Sequence, residues 1–168
     1  SSMTPLIRDY GFDGFDIDLE NQMNVPNLAS AVEKVRANIG DKMVLTMAPQ
    51  TIDVARNPSS PATQQQYEQL IRKLNNKVDI VHTQYYNSGT QYGLDGKIYK
   101  QGTEDFVTAQ ADILLQYLDP SQVALGLPAT SQAAGGGYLS PDVINKAYDC
   151  LTAGTSCGSY TPTHKYTD

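Results

Sequence analysis

Residues 11–20 read G-F-D-G-F-D-I-D-L-E, setting Asp13, Asp16, Asp18 and Glu20 among glycine, phenylalanine, isoleucine and leucine. Aspartate is depleted in strands and a poor helix former, so local propensity does not ask for this composition. Read as a strand over 12–20, the stretch alternates: Asp16, Asp18 and Glu20 share one face, and Phe15, Ile17 and Leu19 share the other. Successive acids then stand about 6.5–7 Å apart. A strand with one polar side in water would also alternate. A parallel sheet, however, is covered on both faces and should be apolar almost throughout. Carboxylates in file on such a sheet must line a cavity or the C-terminal mouth of the strand. Like charges that close raise the pKa of at least one of them, which sets a proton donor beside a carboxylate. That is equipment for acid–base chemistry.

Working outward, the rest of the chain supplies the parallel sheet. Residues 1–10 read as the end of a helix. Residues 26–39 place Leu28, Val32, Val35 and Ile39 at helical spacing, between Asn24–Pro26 and Gly40. M-V-L-T-M-A at 43–48 reads as a second buried strand, ended by Pro49, with a Pro/Ser-rich loop through Pro61. Helical period returns over 63–75 with Tyr67, Leu70, Ile71 and Leu74. V-D-I-V-H-T-Q-Y-Y at 78–86 is a third strand. A Gly-containing loop leads to a helix over 104–118, a fourth strand V-A-L-G-L-P at 123–128, and a last helix near 141–152 started by Ser140 and Pro141. The segment from 154 onward has no periodicity and reads as a tail.

Four strands, each followed by a helix, make four parallel βα units and an α/β chain. A closed (β/α)8 barrel needs eight such units in about 250 residues. Four units describe an open doubly wound sheet or about half of a barrel. No strand is followed by a GxGxxG or GxxxxGK turn, so a nucleotide-binding sheet would lack its phosphate cradle. The acidic strand favours the barrel, with residues 1–168 forming a single partial catalytic domain and a tail from about 154.

The 168 residues carry a net charge of −6, which argues against a nucleic acid or an anionic membrane surface as partner. No apolar run approaches the roughly 18 residues of a membrane span. Cys150 and Cys157 lie close in sequence, and their spacing leaves a small-loop disulfide and two free thiols both open. A metal site there would find only His164 nearby.

D-G-F-D-I-D-L-E at 13–20 resembles the D-G-x-D-x-D-x-E signature of the family 18 glycoside hydrolases, the chitinases and their relatives, matching at all four acids and at Gly14. T-M-A-P-Q at 46–50, H-T-Q-Y-Y-N at 82–87 and A-L-G-L-P-A at 124–129 resemble successive strand ends of the same family, in order. The resemblance covers nearly the whole chain and corresponds to the fourth through seventh strands of the family barrel. It implies hydrolysis of β-1,4-linked N-acetylglucosamine polymers such as chitin, in a secreted enzyme that needs no cofactor or metal.

Residue by residue, the resemblance makes Glu20 the general acid and Asp18 the group that holds the acetamido N–H while the substrate's own carbonyl attacks. Asp16 would share charge or a proton with Asp18. Tyr86 would hold the acetamido oxygen. Gln84 and Asn87 would line the same strand end and Met47 would supply an apolar wall beneath the sugar; Asp13, counted with these substrate-binding candidates, lies on the opposite parity, where it would brace the strand. Retention of anomeric configuration is expected, with Glu20 serving as base when water opens the intermediate.

The chain has no tryptophan, which family barrels carry at the end of the eighth strand. The short stretch between 128 and 141 leaves no room for the α+β insertion of some chitinases, so an insertion-free barrel with a shallower cleft is expected. His82 reads as a hydrogen-bonded core residue and Gly135–Gly137 as a flexible linker. Two other functions fit the acids: a non-hydrolytic glycan-binding protein of the same fold, and a Mg²⁺ enzyme using Asp16, Asp18 and Glu20. Half a barrel on its own would expose two strand edges, and little hydrolysis, with aggregation or dimerisation through those edges, is expected of it.

Overall fold

The computed structural model describes residues 2–55 and 65–167. Its centre is a parallel four-stranded sheet of β1 (Gly14–Ile17), β2 (Val44–Met47), β3 (Ile80–Gln84) and β6 (Val123–Gly126), in the order β1-β2-β3-β6. The helices are α1 (Met3–Tyr10), α2 (Val25–Ile39), α3 (Gln66–Lys73), α4 (Glu104–Leu115) and α5 (Pro141–Ala153). This α/β order, four parallel βα units with sequential strands side by side, is the half-barrel arrangement expected. Residues 56–61 of the Pro/Ser-rich loop and the start of the third helix, 63–64, lie outside the described residues.

Each element follows from local chemistry. Asn24 caps α2 by accepting the Asn27 N–H at 3.1 Å, Pro26 occupies its first turn, and Gly40 follows its end. Gly14 pairs with Val44, and a Cβ at Gly14 would overlap the Val44 carbonyl, so the strands meet closely only because glycine stands there. The register aligns Asp16 with Thr46 and Ile17 with Met47, then Met47 with Val81. Alternation therefore sorts the sheet into two faces. Ile17, Leu45, Met47 and Val81 turn toward α2, α3 and α4 and share one core with Val32, Leu70, Ile71 and Leu114. Burying such a side chain contributes about 1.5–3 kcal/mol. The opposite face carries Asp16, Thr46 and His82. It is open in this chain, with Val44 and Ile80 each 40% exposed there.

Four expectations change. The strand expected over 12–20 ends at Ile17, so Asp18 and Glu20 stand beyond its last ladder bond, at the sheet's C-terminal edge. The loop expected after β3 contains an antiparallel hairpin, β4 (Thr90–Tyr92) with β5 (Ile98–Lys100), whose three-residue strands are too short for periodicity to show. The glycine-rich stretch is no flexible linker: Gly137 is packed against the backbone of Tyr85 and Tyr86 at a φ of 97°. The tail from 154 is irregular but tied down. Cys150 and Cys157 form a disulfide. Buried Asp112 accepts the Tyr160 hydroxyl at 2.6 Å and the backbone N–H groups of Thr163 and His164, and His164 Nδ1 lies 2.8 Å from it. Among these partners the Asp112 carboxylate is fully satisfied, which makes a hydrophilic sequence dock as firmly as an apolar one.

Candidate active site

The C-terminal edge of the sheet gathers most of the polar side chains singled out in the sequence. Past the end of β1, the backbone carrying Asp18 is held by Tyr67 of α3. The buried phenol accepts the Leu19 N–H at 2.7 Å and donates toward the carbonyls of Leu19 and Ile17 at 3.1 and 3.3 Å. Burial, opposed by the Leu19 bond and reinforced by Asp18, Asp53 and Asp16, drives that phenol's pKa far up, so it remains a neutral donor.

Gln84, at the end of β3 and 8% exposed, joins the two outer acids. Its Nε2 donates to Asp18 Oδ1 at 3.1 Å, to Glu20 Oε1 at 3.1 Å and to the Ala48 carbonyl at 2.8 Å. Two amide hydrogens thus serve three acceptors. Asp16 belongs to a separate pair of contacts: Thr46 Oγ1 donates to its Oδ1 at 2.5 Å, and His82 Nε2 stands 3.1 Å from the same oxygen. The file of three acids is therefore split, with the inner one held by Thr46 and His82 and the outer two linked by an amide.

Tyr86 follows β3 and is half-buried. Burial, then the charges of Asp18 and Glu20, raise its phenol above the ordinary value, so it lies in the field of both carboxylates. Its backbone is pinned by Ser88, whose hydroxyl donates to the carbonyls of Tyr86 and Gln84 at 2.9 and 3.0 Å. Asn87 is exposed, adopts a φ of 51°, and donates its N–H to the Gly136 carbonyl at 3.0 Å. It thereby ties the loop after β3 to the loop after β6.

Two expected roles are corrected, and a third candidate is moved away from the site. Met47 is fully buried among core residues on the helix-facing side, because the parity that points Thr46 at Asp16 points Met47 away from it; it is no wall for a sugar. Asp13 precedes β1, at the end of the strand opposite Asp18 and Glu20, and its carbonyl accepts the Val44 N–H at 3.0 Å, so it braces the strand entrance. His82 is no core residue: its side chain is 40% exposed and belongs to the acidic face.

Sequence reasoning also missed a fourth acid. Asp53 ends the short helical turn Thr51–Asp53 after β2 and is 9% exposed. Burial, then the charge of Glu20, push its carboxyl up to about 6. Asp53 and Glu20 line one cleft of about 340 Å³ with Gln50 and Ile52, and a smaller one of about 130 Å³ continues past Ile52 to Tyr86 and Asn87. A larger groove of about 500 Å³ runs along the free edge of β1, but it is walled by Phe15, Leu28 and Val35 and offers little polar chemistry beyond Asp16 and Asp18. Among the described residues, no three acids, histidines or cysteines converge as metal ligands. The arrangement can hold a proton next to a carboxylate and present a phenol to the same point, which suits acid–base work on a neutral substrate.

A sequence model of the family described as "Glycosyl hydrolases family 18" matches residues 1–162. Chitinase Chi52 of Paenibacillus xylanexedens is 37% identical over 95% of this chain and 36% of its own length. A solved family GH18 chitinase from Chromobacterium violaceum superposes with a TM-score of 0.90 at 30% identity, over 99% of this chain and 50% of that one. A candidate chitinase A from Streptomyces coelicolor is 52% identical with a TM-score of 0.86, over 95% of this chain and 53% of that one. The chain thus spans about a third of the curated relative's length and about half of each solved chain.

Proposed function

Because the chain belongs to glycosyl hydrolase family 18, we propose that residues 1–168 are part of the catalytic barrel of an enzyme that hydrolyses β-1,4-linked N-acetylglucosamine polymers, with Glu20 as its general acid. The observation that carries this is the Gln84 amide, which donates to Asp18 and Glu20 alike, with Tyr86 in the field of both.

In this reading Glu20 delivers its proton to the glycosidic oxygen as the bond to the anomeric carbon breaks. The substrate's acetamido carbonyl closes onto that carbon. Asp18 accepts the acetamido N–H, which sharpens the attacking oxygen, and the Tyr86 hydroxyl donates to that oxygen. The Gln84 N–H stands ready for the carboxylate that Glu20 becomes, a charge-assisted bond stronger than the neutral one it replaces. Water then opens the cyclic intermediate, Glu20 takes its proton, and the product keeps its anomeric configuration. Asp16, held by Thr46 and His82, stays out of direct contact behind Asp18. Secretion accords with the Cys150–Cys157 disulfide, which suits an oxidising compartment.

The test is turnover of chitin oligomers by the protein that carries this chain, with Glu20→Gln beside it. A positioned general acid contributes roughly 10²–10⁴-fold, and a loss in that range is expected. Equal turnover by the two proteins removes Glu20 from the role.

A further inference from the structure

One carboxyl on the wall of the cleft has no protein partner among the described residues and opens toward the cleft itself. Asp53 is nine-tenths buried, and among the described residues neither a hydrogen bond nor a cation acts on its carboxyl. With the rest of the residue packed away, the carboxyl has the cleft as its outlet, where a ligand atom can reach it. The turn that carries it is well anchored. The Asp53 N–H donates to the Gln50 carbonyl at 3.0 Å, and Gln50 bridges to Gln84, the residue that links Asp18 and Glu20. The carboxyl is thus held at a fixed place on the wall of the cleft it shares with Glu20, beside the amides of Asn21, Gln22 and Gln50 and the 43% exposed Ile52.

We propose that Asp53 is a proton-gated binding residue: protonated, it donates a hydrogen bond to an acceptor oxygen of a saccharide lying in this cleft, and on ionising it withdraws that donor. This rests on the reading of the cleft as a carbohydrate site. The ligand class follows from the lining. Amides donate and accept alike, Ile52 offers an apolar surface to a ring face, and two carboxyls repel an anion; a neutral polyol with amide or hydroxyl oxygens fits, and a phosphate or a carboxylate does not. The titratable groups acting on Asp53 are Glu20, from the loop after β1, and the Tyr67 phenol of α3, which feels the Asp53 charge in turn. Neither can neutralise it. With the carboxyl lifted to about 6, first by burial and then by Glu20, the donor is present in mild acid and fades toward neutrality.

Calorimetric binding of chitobiose at about pH 5 and about pH 7 tests this in wild type, Asp53→Asn and Asp53→Ala. A group titrating near 6 loses about tenfold of its protonated form over that span. Wild-type affinity should fall by up to that factor. Asp53→Asn, a permanent donor, should change less than about twofold, and Asp53→Ala should bind weakly at both pH values. A ¹³C titration of the Asp53 carboxyl should show its midpoint well above the ordinary aspartate value. Wild-type affinity that does not change with pH, the same fall in Asp53→Asn, an ordinary midpoint, or no binding at either pH overturns the proposal. The readout needs no turnover. Gated binding without hydrolysis would reject the proposed reaction alone, and hydrolysis with ungated binding would reject the role of Asp53 alone.

Discussion

The Tyr67 hydroxyl bonds both polar atoms of Leu19, accepting its N–H at 2.7 Å and facing its carbonyl at 3.1 Å. Leu19 lies between Asp18 and Glu20, so one phenol from a helix 48 residues away sets the position of both outer acids. Among the described residues no ladder partner holds this segment, because β1 has already ended. Tyr67→Phe keeps the ring in the core and removes only the hydroxyl. Removing the partner of this part-buried backbone N–H should cost about 1 kcal/mol of stability. Turnover should fall with little change in KM, since the loop that carries Asp18 and Glu20 loosens. Denaturant titration and steady-state kinetics check both, and unaltered kcat would show that the loop holds itself.

Much of this architecture is legible in the residues because it is local. α2 announces itself through Asn24, Pro26 and the spacing of Leu28, Val32, Val35 and Ile39; the acidic file shows through strict alternation. What the sequence hides is tertiary. Tyr67 looks like any core aromatic of an amphipathic helix, and nothing nearby says that its hydroxyl reaches Leu19. Asp53 sits in a proline-bounded loop where exposure is the natural expectation, and only packing shows that it is buried beside Glu20. Met47 and Thr46 are adjacent, and which of them meets Asp16 depends on a register set by Gly14 against Val44. The β4–β5 hairpin is lost because three residues contain barely one period.

Stability should depend on pH through Asp53. Its carboxyl sits at about 6 when folded against an ordinary 3.8, so the folded state binds the proton more tightly than the unfolded chain does. The associated stability is fully present below about pH 4 and is lost as pH rises through 6, a loss on the order of 2–3 kcal/mol. Asp53→Asn should match or exceed wild type at neutral pH and lose its advantage in acid. Urea denaturation across that range measures the difference, and parallel curves for the two proteins would contradict it.

The Cys150–Cys157 bond closes a short loop, with a sequence separation of 7. Immediately after it, the Gly158 N–H donates to Glu104 Oε2 at 2.8 Å and the Tyr160 N–H to Asp105 Oδ1 at 2.8 Å. The disulfide therefore delivers the tail to the first turn of α4. Chain-entropy arguments give a loop of this size about 2–3 kcal/mol. Replacing both cysteines by serine should lower stability by that much, while binding at the cleft, formed by β1–β3 and their loops, should be nearly unchanged. Thermal unfolding and chitobiose affinity measured together separate the two effects.

Gly137 carries the most specific backbone demand near the site. Its φ of 97° suits glycine, and a Cβ there would come within 2.6 Å of the Tyr86 Cα and 2.8 Å of the Tyr85 carbonyl oxygen. Both obstacles are backbone, so neither can swing aside as a side chain would. Gly137→Ala must either distort its own loop or push Tyr86 off its position, with an expected cost of about 1–3 kcal/mol and a clear loss of turnover. Gly135→Ala is the control: its added Cβ meets only the Asn87 side-chain oxygen, at 3.1 Å, which can shift. If Tyr86 acts where the acids converge, the alanine at 137 damages kcat well beyond what its loss of stability accounts for, and the alanine at 135 does not. Equal kinetics for the two variants would mean that the position of Tyr86 does not depend on the glycine-rich loop packed against it.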